Sequence, residues 1–178
     1  MTDAAKARPE PGLVAAACAG DTDAFARIMA LHDGDMTRVC MAIVGDVNVA
    51  QEAVQAAWPL VWERLGSLRE PDRLRPWLVS VAANEARQIV RRGRRAEARE
   101  RSSAPPRDLG DPSARAASLD LAAALSRLGV DDRRLIGLRY IAGLTSSEIA
   151  RELGGSPSAV RGRLARILDR LRTELNDD

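Results

Sequence analysis

Residues 94–117 read RRAEARERSSAPPRDLGDPSARAA, and this stretch constrains everything else the chain can build. Pro105, Pro106, Gly110 and Pro112 break helix and strand alike, and no apolar residue recurs there at a sustained period. Such a segment carries no core, so the core of the 178-residue chain must lie on its two sides. On both sides apolar residues fall at helical spacing, with almost no alternating pattern. Composition agrees. Apolar residues make up 46%, enough to bury a core, while aromatics are only Phe25, Trp58, Trp62, Trp77 and Tyr140. That leaves Ala, Leu, Val and Ile, which suit close-packed helices. The expected fold class is all-α: two small helical domains, 13–95 and 118–178, joined by a flexible linker over 96–117 and preceded by a tail over 1–12. The first residues of the linker are able to prolong the preceding helix to about Arg101.

Several classes are excluded at once. No apolar run approaches the length that spans a bilayer, and Leu13 to Ala19 lacks the basic flank of a signal peptide. Cys18 and Cys40 make no disulfide framework, which points to a reducing cytoplasm. Together with His32 their spacing matches no zinc motif, so no metal is expected. There is no glycine-rich phosphate loop, no HExxH and no nucleophile elbow, so neither an enzyme, a cofactor nor a small-molecule substrate is expected.

The first block reads as four helices. Leu13 to Val44 is broken near Gly20–Asp21, where Asp21 can cap the next turn. Asn48 to Leu65 follows, with Asn48 and Gln51 spaced as a capping box, and Pro59 falls inside it. After the loop LGSLREPDRLR, a last helix starts near Pro76 and passes Arg92. On that helix Leu78, Val81, Ala82 and Ile89 share one arc. Ser80, Asn84, Arg87, Gln88 and Arg91 share the opposite one, offering amide and guanidinium donors suited to phosphates and base edges. Trp58 and Trp62 are one helical turn apart and read, with Trp77, as core.

In the second block, Ser118 to Leu128 and Asp131 to Ala142 are helices ended by Gly129 and Gly143. Asp131 and Asp132 look like helix-start residues. Thr145-Ser-Ser-Glu148 is a capping box, and its helix stops at Gly154-Gly155. Ser156 caps the next helix with Pro157 at its first position, and Val160, Leu164, Ile167 and Leu171 line one face. Two capped helices joined by a glycine turn form the helix-turn-helix pattern. Outside the apolar stripe lie Ser158, Arg161, Gly162, Ala165, Arg166 and Asp169; small residues admit the helix to a major groove, and arginines reach bases or phosphates. Charge alone is less specific. The net formal charge is only +2, and the runs Arg87–Arg95 and Arg161–Arg172 fit two polyanion contacts or two solvated faces equally well.

The segment LRYIAGLTSSEIARELGGSPSAVRGRLARILDRLR resembles the fourth-region helix-turn-helix of bacterial extracytoplasmic-function (ECF, group IV) RNA polymerase sigma factors. GLVAAACAGDTDAFARIM, AQEAVQAAWPLVWERL and RPWLVSVAANEARQIVRR resemble the second region of the same family. The resemblance implies a cytoplasmic promoter-specificity subunit whose partners are promoter DNA and the β and β′ subunits of core polymerase, together with an anti-sigma factor. It implies that Ser158, Ala159, Arg161, Gly162, Arg163 and Arg166 meet the −35 element. It further implies −10 contacts from Ser67, Arg69, Asp72 and Arg73 in a base-capturing loop and from Asn84, Arg87, Gln88 and Arg91 on the following helix.

There are departures from the family pattern. Where the family reads AEDLVQEVF this chain reads AQEAVQAAW, which leaves Glu52 and Gln55 as the polar residues for core polymerase. Ser158-Ala159 replaces the usual Gly-Thr, Arg161-Gly162 the usual Lys-Ser, and Ala165 a common His. Two other readings remain: a helix-turn-helix regulator with a ligand-sensing first block, and a core-polymerase-binding protein that does not initiate.

Overall fold

The computed structural model describes residues 11–100 and 123–176, and every regular element among them is helical. In the first block α1 spans Pro11–Cys18, α2 Thr22–Val44, α3 Val47–Arg64 and α4 Leu74–Glu100. Two single 3-10 turns, Leu65–Ser67 and Pro71–Arg73, join α3 to α4. In the second, a helical segment over 123–127 (α5) is followed by α6 (Val130–Ile136), a π-helical turn (Gly137–Ile141), α7 (Ser146–Leu153) and α8 (Pro157–Asn176). Residues 1–10 of the expected tail, 101–117 of the expected linker and the first residues of the Ser118 helix lie outside the described residues.

Local chemistry fixes the boundaries, and three differ from expectation. α1 already begins at Pro11, because proline's fixed φ and missing N–H suit a first helical turn. α3 is capped by Asp46 rather than Asn48: the Asp46 carboxylate accepts the N–H groups of Asn48 and Val49 at 2.8 and 3.0 Å. Gly45, at φ +80°, turns the chain so that this carboxylate faces the new helix end. α4 starts at Leu74 rather than near Pro76, while its end at Glu100 agrees with the expectation that the first linker residues can prolong it to about Arg101. The cap on α2 is as read, with Asp21 accepting from Asp23 and Ala24 at 2.9 and 3.0 Å.

The core of the first block is an Ala-lined seam. Ile28, Met36 and Ile43 of α2 meet Ala50, Ala53, Ala57 and Val61 of α3 and Leu78, Ala82, Ala83 and Ala86 of α4, all fully buried. Small side chains let the three axes approach closely, and the long residues of α2 fill the space between them. Phe25 closes one end, edge-on to Trp58 at 5.8 Å and to Trp62 at 4.7 Å. Trp58 is core, and its indole N–H donates to Asp33 at 3.0 Å. Trp62 is 38% exposed, so only one face of it packs.

The second block docks on the first. Its α6 and π turn lie against α2 and α4. An expected continuous helix from Asp131 to Ala142 instead widens at Gly137–Ile141, where Ala142 N–H donates to Gly137 O at 2.9 Å. The turn presents Gly137 to α2: a Cβ built there stands 3.6 Å from the Val39 backbone oxygen, so nothing larger than alanine keeps this spacing. Docking also explains why the arcs of α4 are not cleanly divided. Ser80 was expected on the donor face but is buried, because α4 is covered by its own bundle on one side and by the second block on another.

Two predictions come from the fold. Pro59 sits exposed within α3, where it removes one helical hydrogen bond. Pro59→Ala should raise stability by up to about 3 kcal/mol, read as a higher urea midpoint at unchanged slope. His32 is buried with Nε2 unpartnered among the described residues. Burial lowers its pKa, Asp35 opposes that, and the Arg75 guanidinium adds to it. The unfolded chain therefore binds the proton better, and stability is full above the ordinary imidazole value of 6.5 and declines as pH falls below it. In His32→Gln that part of the stability–pH curve should be flat, whatever the variant's absolute stability; an unchanged slope would contradict the assignment.

Candidate nucleic-acid interface

The helix-turn-helix is built by its caps. Thr145 Oγ1 accepts the Glu148 N–H at 3.2 Å, and Glu148 Oε2 accepts the Thr145 N–H at 2.7 Å. Gly154 leaves α7 at φ +70°, a conformation an L side chain resists. Ser156 Oγ then accepts the Ala159 N–H at 3.1 Å and starts α8 at Pro157. Val160, Leu164, Ile167 and Leu171 are buried as their spacing predicts. Ser158, Ala159, Arg161, Gly162, Ala165 and Arg166 are exposed on the remaining surface of the helix. Arg163 differs from its neighbours. Its Nε donates to Asp132 at 2.8 Å, so it is turned back onto α6.

The first-block candidates divide in the same way. Ser67 and Asp72 stand exposed on the two 3-10 turns and Arg69 on the bend between them, with Ser67 Oγ donating to Arg64 O at 2.6 Å. Arg73, next to them, is bonded to Glu152 of α7. On α4, Arg91 is exposed, Asn84 is half-buried, and Gln88 donates to the buried Glu85 at 2.8 Å. Arg87 is bonded to Asp131 of α6. Glu52 and Gln55 are exposed on one side of α3, away from the Ala53–Ala57 seam. The structure thus brings Arg73 and Arg87 to the second block rather than leaving them open beside Arg69.

Sequence reading missed the residues that do this holding. Arg75 donates to Asp35 at 2.6 Å and to the Ala142 carbonyl at 2.9 Å, joining α2, α4 and the second block. Asp131 and Asp132 do occupy the first turn of α6, but they also hold Arg87 and Arg163. Glu152 holds Arg73 across 79 residues of sequence. No local pattern announces a partner at such separations.

The two cross-block ion pairs are not equal. Burial alone would raise the Asp131 pKa, but Arg87, with Arg91 and Arg163 behind it, outweighs burial and holds the carboxyl below its ordinary range. For Glu152 burial wins over Arg73, and the pKa rises. Asp131 therefore favours the docked state above the carboxylate range, whereas Glu152 is desolvated at a net cost. Arg134, also buried in the seam, is pushed down to about 10, first by burial and then by Arg87. Cys18 and Cys40 are free thiols, and burial pushes Cys40 up to about 12.

Two capped helices on a glycine turn, set against a separate four-helix block, define a DNA-binding protein of the helix-turn-helix class with a second helical module. Comparison with known proteins narrows this. Residues 28–96 match Sigma-70 region 2, and residues 118–171 match Sigma-70, region 4. The chain is 32% identical over 164 residues to the RNA polymerase sigma factor CarQ of Myxococcus xanthus, spanning 89% of this chain and 92% of that one. It is 31% identical to the protein described as "Probable RNA polymerase sigma factor RfaY" of Xanthomonas campestris, of whose length it spans 42%. It is 28% identical to the ECF RNA polymerase sigma factor SigM of Mycobacterium tuberculosis, over 95% of this chain and 89% of that one. Among solved structures, CnrH in complex with the cytosolic domain of CnrY superposes with a TM-score of 0.68 at 27% identity, covering 93% of this chain and 96% of CnrH. The sigma factor RpoE of Bartonella quintana, solved with the anti-sigma factor NepR, shares the fold at a TM-score of 0.70 and 20% identity, over 86% of this chain and 98% of RpoE. The chain belongs to the ECF RNA polymerase sigma factors, the family of transcription-initiation factors. No helix among the described residues is long and apolar enough to cross a membrane.

The inequality of the ion pairs is testable in the full chain. With one dye on α3 and one on α8, Asp131→Asn should open the blocks about two-fold more than Glu152→Gln at pH 7, a modest difference because the Asp131 carboxylate is 43% exposed and screened by solvent. Equal opening, or the reverse order, would contradict the electrostatic account.

Proposed function

We propose that this chain directs core RNA polymerase, in the cytoplasm where that enzyme works, to a specific set of promoters and has no catalytic activity of its own. The second domain, 118–178, reads −35 DNA through Ser158, Ala159, Arg161, Gly162, Arg163 and Arg166, with the N-terminal turn of α8 nearest the base edges. The first domain, 13–95, opens the −10 element: Ser67, Arg69, Asp72 and Arg73 surround an unstacked base, and Asn84, Arg87, Gln88 and Arg91 follow the strand. Glu52 and Gln55 on the outer side of α3 meet the β′ clamp, the second domain meets the β flap, and residues 96–117 tether the two. An anti-sigma factor holds the protein inactive, in keeping with the partners named for CnrH and RpoE.

One observation carries the reading above the others. An open, arginine-bearing face of α8 lies over a buried stripe and is joined to a second block whose own candidate contacts share its basic character. In the docked arrangement Arg73 and Arg87 hold carboxylates of the second block, so their promoter contacts require the blocks to part, while Arg163 is held within the second block by Asp132. A ligand-sensing repressor has no use for that separation.

Run-off transcription with core polymerase tests the whole reading. The chain should start RNA synthesis at a matching promoter, and Arg161→Ala and Arg166→Ala should weaken −35 binding. Loss of a phosphate contact lowers the salt slope by about 1, and loss of a base contact removes about 1–3 kcal/mol of discrimination. Core binding without any run-off product would favour a non-initiating protein; DNA binding without core binding would favour a stand-alone regulator.

A further inference from the structure

A recess of about 380 Å³ opens along the seam between the two blocks. Arg91, Arg94 and Arg95 of α4 line one side of it, and Asp131 and Arg163 of the second block line the other. Among the described residues five guanidinium groups, those of Arg87, Arg91, Arg94, Arg95 and Arg163, gather here against two carboxylates, Asp131 bonded to Arg87 and Asp132 bonded to Arg163, an excess of three positive charges. Crowding of like charge continues behind the recess. Burial lowers the Arg133 pKa and Arg94 lowers it further. Docking thus drives arginines of both blocks together with fewer acids than arginines among the described residues, and a compact anion would relieve the repulsion. Reading a major groove does not require this gathering, because Arg161 and Arg166 are exposed on α8 and do not line the recess.

We propose that this recess binds a compact polyphosphate anion, either the phosphate chain of a nucleoside polyphosphate or free inorganic polyphosphate, and that the bound anion holds the two blocks in the docked arrangement. Planar guanidinium groups pair bidentately with phosphate oxygens, and several converging on one recess suit adjacent phosphates better than a single monoanion. The volume lies at the small end of ligand sites, matching a phosphate chain. Duplex DNA, about 20 Å across, does not enter a recess of this size. Because the lining comes from both blocks, the anion binds the docked state better than the parted one and shifts the population toward docking. The site regulates access to promoter contacts without overlapping Arg161 or Arg166.

The test uses the full-length chain with one dye on α3 and one on α8, titrated with sodium tripolyphosphate, ATP or adenosine at ionic strength held constant with chloride. Tripolyphosphate should give a saturable rise in energy transfer, and adenosine none. Equal response to ATP assigns recognition to the phosphate chain alone, whereas tighter binding of ATP adds a nucleoside contact; both support the proposal. Arg94→Ala/Arg95→Ala should weaken binding about ten-fold or more, with partial recovery in Arg94→Lys/Arg95→Lys. Arg163→Ala should weaken it similarly from the other block, with circular dichroism confirming that each variant remains helical. A response that does not saturate, that equimolar sulfate reproduces, or that survives in both alanine variants would overturn the proposal. So would random duplex DNA binding these arginines while tripolyphosphate does not.

Discussion

Arg75 stands where three elements meet, and the arrangement of the molecule depends on it. One side of its guanidinium donates to Asp35 on α2 and another to the Ala142 carbonyl at the end of the π turn. It is only about a quarter exposed, so both bonds form in a partly desolvated setting where charge-assisted pairs are stronger than at a free surface. Around it the contact is also apolar: Gly137 settles against Val39 and Ala42, and the buried apolar residues of the two blocks form one connected cluster. Docking therefore joins a continuous apolar contact to ionic bonds at its margins.

The margins use the residues that DNA would use. Arg73, Arg87 and Arg163 are each bonded to an acid, and each also belongs to the set expected at a promoter. A guanidinium serves either carboxylate or phosphate with the same planar fork. Asp131 of α6 and Glu152 of α7 thus occupy Arg87 and Arg73 while the blocks are together and release them when the blocks part, whereas Asp132 holds Arg163 within the second block in either state. Salt weakens both states, since exposed pairs and phosphate contacts are screened alike. The balance between docked and open forms is consequently less sensitive to ionic strength than either contact alone.

What the sequence made legible follows from range. Caps, glycine turns and stripes act over a few residues, so Asp21, the Thr145–Glu148 box, Ser156 and the Val160–Leu171 stripe could be read directly. Asp46 was missed in favour of Asn48 because both residue types cap helices and only the turn at Gly45 selects between them. The burial of Ser80 was missed because α4 packs on more than one side, which a single-face reading does not anticipate. The exposed residues of α8 were read from their positions, but the turning of Arg163 toward Asp132 depends on a neighbour 31 residues away. Cross-block pairs belong to the same class: they exist only once two separately folded faces have met.

The departures along α3 bear on the contact with core polymerase proposed above. An exposed proline inside α3 costs helix stability without serving the Ala seam, whose members Ala50, Ala53 and Ala57 all precede it. Beyond it the helix still carries Val61 into the core and sets Trp62 against Phe25 with part of the indole in solvent. A chain selected for stability alone would replace such a residue, since helix-forming substitutions at exposed sites are among the easiest gains. The outer side of α3 also carries Glu52 and Gln55, the polar pair left where relatives of the family carry more acids. In the proposed contact with core polymerase this surface offers less charge and relies more on shape and on the partly exposed Trp62, and a helix locally loosened at Pro59 can adjust that shape at lower cost than a fully bonded one.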